Sequence, residues 1–484
     1  MPFERVLLQS EEAFKTYKRV SASTKASFLR AIASEIEALG DELLQIAHIE
    51  SNLPSGRLTG ERGRTMNQLG LFAELLEEGS WLEATIDTAL PERNPIPRAD
   101  LRRILLPLGP VVVFGASNFP FAFSTAGGDT ASALAAGCTV VYKEHPGHPK
   151  TSQLIFSAIQ KALQKCSLPE NVFQHISGGI EAGQELVRHP NTKAVAFTGS
   201  FKGGKAIFDL ACQREQPIPV YAEMGSINPI FVLPDKGEAE SQQLAEQVAQ
   251  SVLLGVGQFC TNPGLIFYPE TNSTALFLER LSEKLEEAAG DKMLHEGICE
   301  NYYKVLHILT AHGGIEKLVT PDEDVLTGNA ALAKTTVKEW VQNPALQEEV
   351  FGPFTLVVTY KGLRELERAA AQLNGQLTCT LWGSDSEIIQ AETLVDILRE
   401  KCGRLLFEGV PTGVEVSHAM THGGPFPATT DSRSTSVGTY AIKRFARPVT
   451  FQSAPQELLP EELKDTNTLS IWRTINGQLT KDSL

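Results

Sequence analysis

Between residues 111 and 222, short unbroken apolar runs alternate with helical stretches, and this restricts the fold more than any other feature of the chain. The runs are VVVFG (111–115), TVVY (139–142), VFQHI (172–176), AVAF (194–197) and PVYA (219–222). Residues 149–165 and 203–213 carry helical patterns between them. Strands with no polar alternation are buried on both faces, and joining them through helices gives a parallel, doubly wound α/β sheet. Such sheets bind ligands beyond the carboxyl ends of their strands.

The flanks add further units. Leu29, Ile32, Ile36 and Leu39 share one helical face before Gly40, and a second helix is expected over 64–78, ending at Gly79. The proline-rich stretch LPERNPIPRAD (90–100) reads as an extended excursion or hairpin. A second unit begins near Gly225, with an acidic helix-rich stretch (236–290) and strand-like runs at 354–360, 377–382 and 404–407. Near the end, TSVGTYAIKRFARPVTFQ reads as a strand pair. A chain of 484 residues accommodates two to four folded units.

Charge and cysteine usage exclude several classes. Fifty-eight acidic against 43 basic side chains give −15, which disfavours nucleic acid and anionic membranes as partners. Glu4, Arg5, Glu11 and Glu12 stand where a signal peptide needs an apolar run. The uncharged stretch from Ile104 to Gly128 is long enough to cross a bilayer, but Pro107, Pro110 and Pro120 interrupt it. Seven scattered cysteines with no CxxC pair imply neither a disulfide framework nor a zinc ribbon, so a reducing cytoplasm is expected.

Four local patterns carry chemistry. Cys260, in GVGQFC, lies among glycines that let the backbone approach a substrate, and its own amide can face an oxyanion. The alternative is a buried small hydrophobe. Glu223 ends an apolar strand, where desolvation would raise its pKa toward that of a general base; the alternative is a solvated strand end. Asn118 follows the VVVFG strand and can donate to an oxyanion or simply form a turn. The turn FTGSFKGG opens a helix whose amides can face a pyrophosphate, although it is not GxGxxG. No histidine is well placed for a Cys–His hydrolase. His418 and His422 share an i,i+4 spacing among Thr, Gly and Pro, but a metal site there would need further ligands, and no metal is expected.

Taken in order, SNFP, VVYKEHPGHP, FTGS followed by Gly204, AEMG, GQFC and EEVFGPF resemble the aldehyde dehydrogenase superfamily over essentially the whole chain. The tail GVPTGVEVSHAMTHGGPFPATTDSRSTSVGTYAIKRFARPVTFQ, with GASNFPFAFSTAGGDTASALAAG, resembles its 2,5-dioxopentanoate (α-ketoglutaric semialdehyde) dehydrogenase branch. A fatty-aldehyde dehydrogenase of luminous bacteria is a near neighbour of that branch.

The resemblance implies two doubly wound α/β domains plus a small β oligomerisation element. The dinucleotide-binding domain would comprise 1–88 and 110–224, the catalytic domain 225–424, and the oligomerisation element and tail 89–109 and 425–484. It implies Cys260 as nucleophile, Asn118 as oxyanion donor and Glu223 as the base for the thiol or the deacylating water. For the cofactor it implies Lys143 at the adenine-side ribose or a 2′-phosphate, Gly199 and Ser200 near the pyrophosphate, and Gly204 where the helix approaches the cofactor closely. Glu349 would hold the nicotinamide ribose and Phe351 would pack near the nicotinamide.

Two departures bear on this. Ser226 replaces the second glycine of the ELGG motif. Pro146 stands where many NAD-preferring members carry glutamate, while Glu181 would oppose a 2′-phosphate, so NAD and NADP both stay open. An anionic substrate calls for a cation at its distal carboxylate. Arg433 is the candidate, or else a solvated surface residue; Phe121, Phe259 and Phe426 line a tunnel or pack the core.

The expected activity is NAD(P)-dependent oxidation of a small-molecule aldehyde, 2,5-dioxopentanoate to 2-oxoglutarate, by a homodimer or homotetramer. The alternatives are a fatty or other aliphatic aldehyde dehydrogenase, a non-catalytic nucleotide-binding scaffold, and a cysteine hydrolase that ignores nucleotides.

Overall fold

The computed structural model describes residues 3–484. Four helices open the chain: Glu4–Tyr17, Ala22–Ala38, Gly40–Ser51 and Ser55–Glu78. Ser21 starts the second by accepting a hydrogen bond from the Thr24 amide, and Gly79 ends the fourth at φ 81. That fourth helix begins nine residues before the 64 expected from the sequence. Gly56, Gly60 and Gly63 weaken its intrinsic propensity, and burial of Leu58 and Glu61 holds the extra turns.

The first sheet is five-stranded and wholly parallel. Its strands lie in the order Phe173–Ile176, Val140–Lys143, Val111–Phe114, Ala194–Thr198, Val220–Glu223. The strand order reverses beside Val111–Phe114, which places the ligand crevice between the ends of that strand and Ala194–Thr198. Pro149–Lys165 and Phe201–Cys212 are the intervening helices read from the sequence. The second sheet has seven strands: Glu316–Val319, Ala331–Thr336, Phe354–Tyr360, Leu265–Pro269, Ile230–Val232, Gln376–Trp382 and Cys402–Phe407. Only the edge strand Glu316–Val319 runs antiparallel.

A third sheet, of five strands, joins Ala446–Gln452, Leu101–Pro107, Thr85–Asp87, Arg473–Ile475 and Gln478–Thr480. The strand pair expected near the end is corrected here. Gly438, at φ 86, turns the chain into a 3-10 segment, Thr439–Phe445, whose Ala441, Ile442 and Phe445 are buried. Only Ala446–Gln452 is a strand, and its partner is Leu101–Pro107. Residues 425–445 stay with the large domains rather than the small sheet: the Met224 amide donates to the Ala428 carbonyl at 2.7 Å, and Glu223 bridges Thr429. No described helix is long and apolar enough to cross a membrane.

Candidate active site

The site forms where the two large sheets meet. Glu223 is the last residue of strand Val220–Glu223 and is 3% exposed. Cys260 follows the helix Ser241–Leu253 through an unusual turn in which Gly255, Val256 and Gly257 all have φ near +60° (57, 58 and 64). Val256 is β-branched, so this conformation is strained. Gly257 is required sterically, because a Cβ there would lie 2.2 Å from the Gly352 backbone. Asn228 fixes the far side of the turn, its side-chain amide donating to the carbonyls of Cys260 (2.8 Å) and Asn262 (3.0 Å).

His422 completes the cluster. Its Nε2 lies 3.4 Å from Cys260 Sγ and 2.8 Å from Glu223 Oε1. The carboxylate contact has ion-pair distance without straight hydrogen-bond alignment, and Oε1 keeps no other partner. Ser436 donates to the other Glu223 oxygen. The loop carrying His422 is held by its own backbone, the His422 amide donating to Thr435 Oγ1 at 2.8 Å and its carbonyl accepting from the Ser436 amide at 2.8 Å. This placement leaves no trace in the linear pattern, because His422 is 162 residues from Cys260, in a loop without periodicity. The view that no histidine serves the cysteine is therefore corrected. His418 takes no part in the cluster and pairs with Thr439 Oγ1 at 3.2 Å.

The electrostatics differ from the expectation for Glu223. Burial alone would raise its pKa, but the His422 imidazole beside it and the hydrogen bond from Ser436 hold it below the usual carboxylate value. A raised pKa at Glu223 is thus corrected to a lowered one. The Cys260 thiol is pushed well above its usual value, first by burial and then by the negative charges of Glu223 and Glu349. The resting thiol therefore keeps its proton and needs an adjacent acceptor.

Asn118 is buried just beyond the strand Val111–Phe114, and its Nδ2 donates to the Gln258 carbonyl at 3.1 Å. An amide carries two N–H donors, so one remains for a developing oxyanion. Phe259, beside the cysteine, meets Phe119 edge-on at 5.6 Å. Phe121 is 1% exposed and belongs to the core.

The residues assigned to a cofactor gather around the carboxyl ends of the first sheet. Lys143 ends its strand and donates to the Glu144 carbonyl at 2.8 Å. Gly199 and Ser200 lead into the helix Phe201–Cys212, with Ser200 accepting from the Gly203 amide at 3.3 Å. Just before them, the buried Thr198 Oγ1 has no hydrogen-bond partner among the described residues. Glu349 and Phe351 line one cavity with Phe259 and Asn262. Burial raises the Glu349 carboxyl to about 7. A Cβ at residue 225 would lie 2.5 Å from Glu349 Oε2, so that contact requires Gly225.

Gly204 packs against Met224 and Ala222, where a Cβ would come within 2.6 Å of Met224 Cγ, so helix and strand approach closely there. Two assignments are corrected by position. Arg433 has an 88% exposed side chain, spent on both oxygens of Asp431 at 2.9 and 3.1 Å. Phe426 is 54% exposed and packs edge-on against Phe201 at 5.9 Å, at the start of the cofactor-side helix. Neither Arg433 nor Phe426 contacts the cysteine cluster. Ser226, the departure from the family glycine, knits the two strands' ends together by accepting from the Leu377 amide (3.0 Å) and lying 2.9 Å from Gln376 Oε1.

Fold and site together define a class: a two-sheet α/β protein with a dinucleotide-type crevice and a thiol–imidazole–carboxylate cluster at the seam. The chain matches the aldehyde dehydrogenase family over residues 2–424. It is 46% identical over 474 residues to an alpha-ketoglutaric semialdehyde dehydrogenase of Acinetobacter baylyi, covering 97% of this chain and 90% of the relative. It is also 46% identical over 478 residues to alpha-ketoglutaric semialdehyde dehydrogenase 2 of Azospirillum brasilense, covering 98% and 91%. Among solved structures, glyceraldehyde-3-phosphate dehydrogenase GapN of Methanocaldococcus jannaschii, complexed with NADP, superposes with a TM-score of 0.78 at 20% identity, covering 93% of each chain; this likeness concerns the fold. The chain belongs to the aldehyde dehydrogenase family and is an enzyme of that class.

Proposed function

We propose that the protein oxidises 2,5-dioxopentanoate to 2-oxoglutarate with NAD or NADP as oxidant. The observation that carries this reading is the convergence of Cys260, Asn118, Glu223 and His422, in a chain 46% identical to two enzymes named for that semialdehyde. The residues present fit a dinucleotide. The orphaned Thr198 hydroxyl and the capped helix start at Ser200 suit phosphate or ribose oxygens, and Glu349 behind Gly225 suits ribose hydroxyls. Lys143 would hold the adenine-side ribose or a 2′-phosphate, and Phe351 would pack beside the nicotinamide.

Cys260 Sγ attacks the aldehyde carbon while its proton passes to His422 Nε2, whose new charge faces Glu223. The free Asn118 N–H and the Cys260 amide stabilise the resulting oxyanion. When bound, the nicotinamide supplies a hydride acceptor, so collapse of the oxyanion leaves a thioester on Cys260. Water then adds to the thioester, the Glu223–His422 pair takes its proton, and the C–S bond breaks. Aldehyde, water and oxidised nucleotide give acid, reduced nucleotide and one proton.

Leu479 of the third sheet and Trp472, just before its strand Arg473–Ile475, face solvent, which supports reading the sheet as an oligomerisation element in a dimer or tetramer. The test of the activity follows absorbance at 340 nm with 2,5-dioxopentanoate, hexanal and decanal, each with NAD and NADP, against Cys260→Ala. The dioxo acid should win by about a hundredfold in kcat/KM, roughly 2.7 kcal/mol of transition-state discrimination. A preference for decanal overturns the substrate assignment.

A further inference from the structure

One face of the helix Ser55–Glu78 turns toward the cysteine cluster and carries Arg57, Glu61, Arg64 and Gln68, at i, i+4, i+7 and i+11. Each has an unpartnered buried atom: Arg57 Nη1, Glu61 Oε2, Arg64 Nη1 and Gln68 Nε2. A stripe of orphaned polar atoms along a buried helix face is costly unless something occupies it.

The two arginines border the walls of the site. The Arg57 guanidinium lies 4.5 Å from the Phe259 ring centre and 4.9 Å from that of Phe119, and Nη2 donates to the Asn118 carbonyl at 2.6 Å. It therefore touches residues next to both the nucleophile and the oxyanion donor. The Arg64 guanidinium lies 5.3 Å from the Phe123 ring, which is 6.1 Å from the His422 ring. Among the described residues, neither arginine has a carboxylate within ion-pair distance. Glu61, the acid between them, accepts through Oε1 from the amides of Phe121 and Ala122, at 2.8 and 2.9 Å, and its charge acts on both guanidiniums without direct contact.

Two partly buried guanidiniums share the single charge of Glu61, so this face keeps a net positive charge and a demand for an anion. Arg404 does not compete for this role, because its two terminal nitrogens are taken by the carbonyls of Pro411 and Gly413, both at 2.6 Å. The aromatic rings of Phe119, Phe123 and Phe259 suit a short carbon chain running between anion and thiol. A five-carbon aldehyde acid spans roughly 5 Å from aldehyde carbon to carboxyl carbon, at about 1.5 Å per bond.

We propose that Arg57 and Arg64 form the subsite for the distal carboxylate of the substrate, in place of Arg433. This rests on the reading of the substrate as an acidic aldehyde and names the residues that select it. Arg57 offers its free Nη1 and Arg64 its own, and the pair discriminates against neutral aldehydes of the same length.

The test compares kcat/KM for 5-oxopentanoate and pentanal in the wild-type enzyme and in Arg57→Gln, Arg64→Gln, Arg57→Lys and Arg64→Lys, using far-UV circular dichroism to check folding. The lysine variants keep stem and charge but lose the fork. The ratio of the two substrates should fall by about a hundredfold in each Gln variant and about tenfold in each Lys variant, through KM for the acid. A ratio within about threefold of wild type in the folded variants overturns the subsite, because a purely structural role lowers both substrates together. If the wild-type enzyme itself shows no preference for the acid, the substrate reading fails. If the wild type prefers the acid and the variants still do, only the arginine assignment fails.

Discussion

His422 Nε2 stands 3.4 Å from Cys260 Sγ and 2.8 Å from Glu223 Oε1, so the imidazole lies within reach of both the thiol and the carboxylate. A buried carboxylate beside a buried thiol would be mutually unfavourable. The imidazole makes the arrangement tenable, because once it has taken the thiol proton its new charge faces Glu223.

Replacing His422 with glutamine should lower kcat/KM by about 10²–10³ through loss of the proton acceptor. It should also destabilise the fold by about 1–3 kcal/mol, because buried Glu223 Oε1 loses its imidazole partner. The pH dependence has a definite sign. The Glu223 pKa is depressed from 4.5 in the folded state, so its stabilising contribution is present above pH 4.5 and is lost as pH falls through the lower folded value. The difference in Tm between wild type and His422→Gln should therefore narrow below pH 4.5. A constant difference would argue against the ion pair.

Asn118→Ala should reduce kcat by about 10²–10³ with little change in KM, since the free N–H acts on charge that develops only during reaction. Stopped-flow measurement of the first turnover isolates that step. An effect confined to KM would assign Asn118 to substrate binding instead.

Glu349 makes nucleotide affinity pH-dependent. With its carboxyl raised to about 7, it is largely neutral at pH 6 and ionised at pH 8, and only the carboxylate accepts from two ribose hydroxyls. Calorimetric titration should show Kd falling across that range in the wild type and flat in Glu349→Gln. The same shift means that burial of the neutral acid stabilises the apo fold fully below pH 4.5, and that this stabilisation is lost as pH rises through about 7.

Gly257→Ala should destabilise by at least about 3 kcal/mol or prevent folding, since it combines left-handed strain with contact against the Gly352 backbone. Thermal melts compare it with Gly409→Ala, where φ is likewise positive, at 75, but nothing lies within 4 Å of the added Cβ. Equal losses would show that conformation alone, and not the close approach, sets the requirement.

The parallel strands were legible because burial on both faces leaves uninterrupted apolar runs, and Phe354–Tyr360 matches its expected limits residue for residue. Glycine flanks and strand ends made Cys260, Glu223 and Asn118 candidates beside simpler structural alternatives, the family resemblance singled them out, and the structure brings all three together. His422 was not, because its contact is made by a loop whose course is set by Thr435 and Ser436 rather than by periodicity. Arg57 was hidden differently: the glycines at 56, 60 and 63 mask the first turns of its helix, and only packing reveals which face looks at the thiol. The strand expected on both sides of Arg444 failed because Arg444 is buried against Asp129 at 2.7 Å, which ties that segment to the helix Gly128–Ala136 instead of to a neighbouring strand.

An acyl group carried on Cys260 during oxidation of an acidic aldehyde is detected by intact-protein and peptide mass spectrometry of Glu223→Gln after a single turnover. A burst of one reduced nucleotide per site is expected, together with an acyl adduct on the peptide containing Cys260 that decays slowly as water attacks. A full burst with no adduct on Cys260, or an adduct on another cysteine, would contradict it.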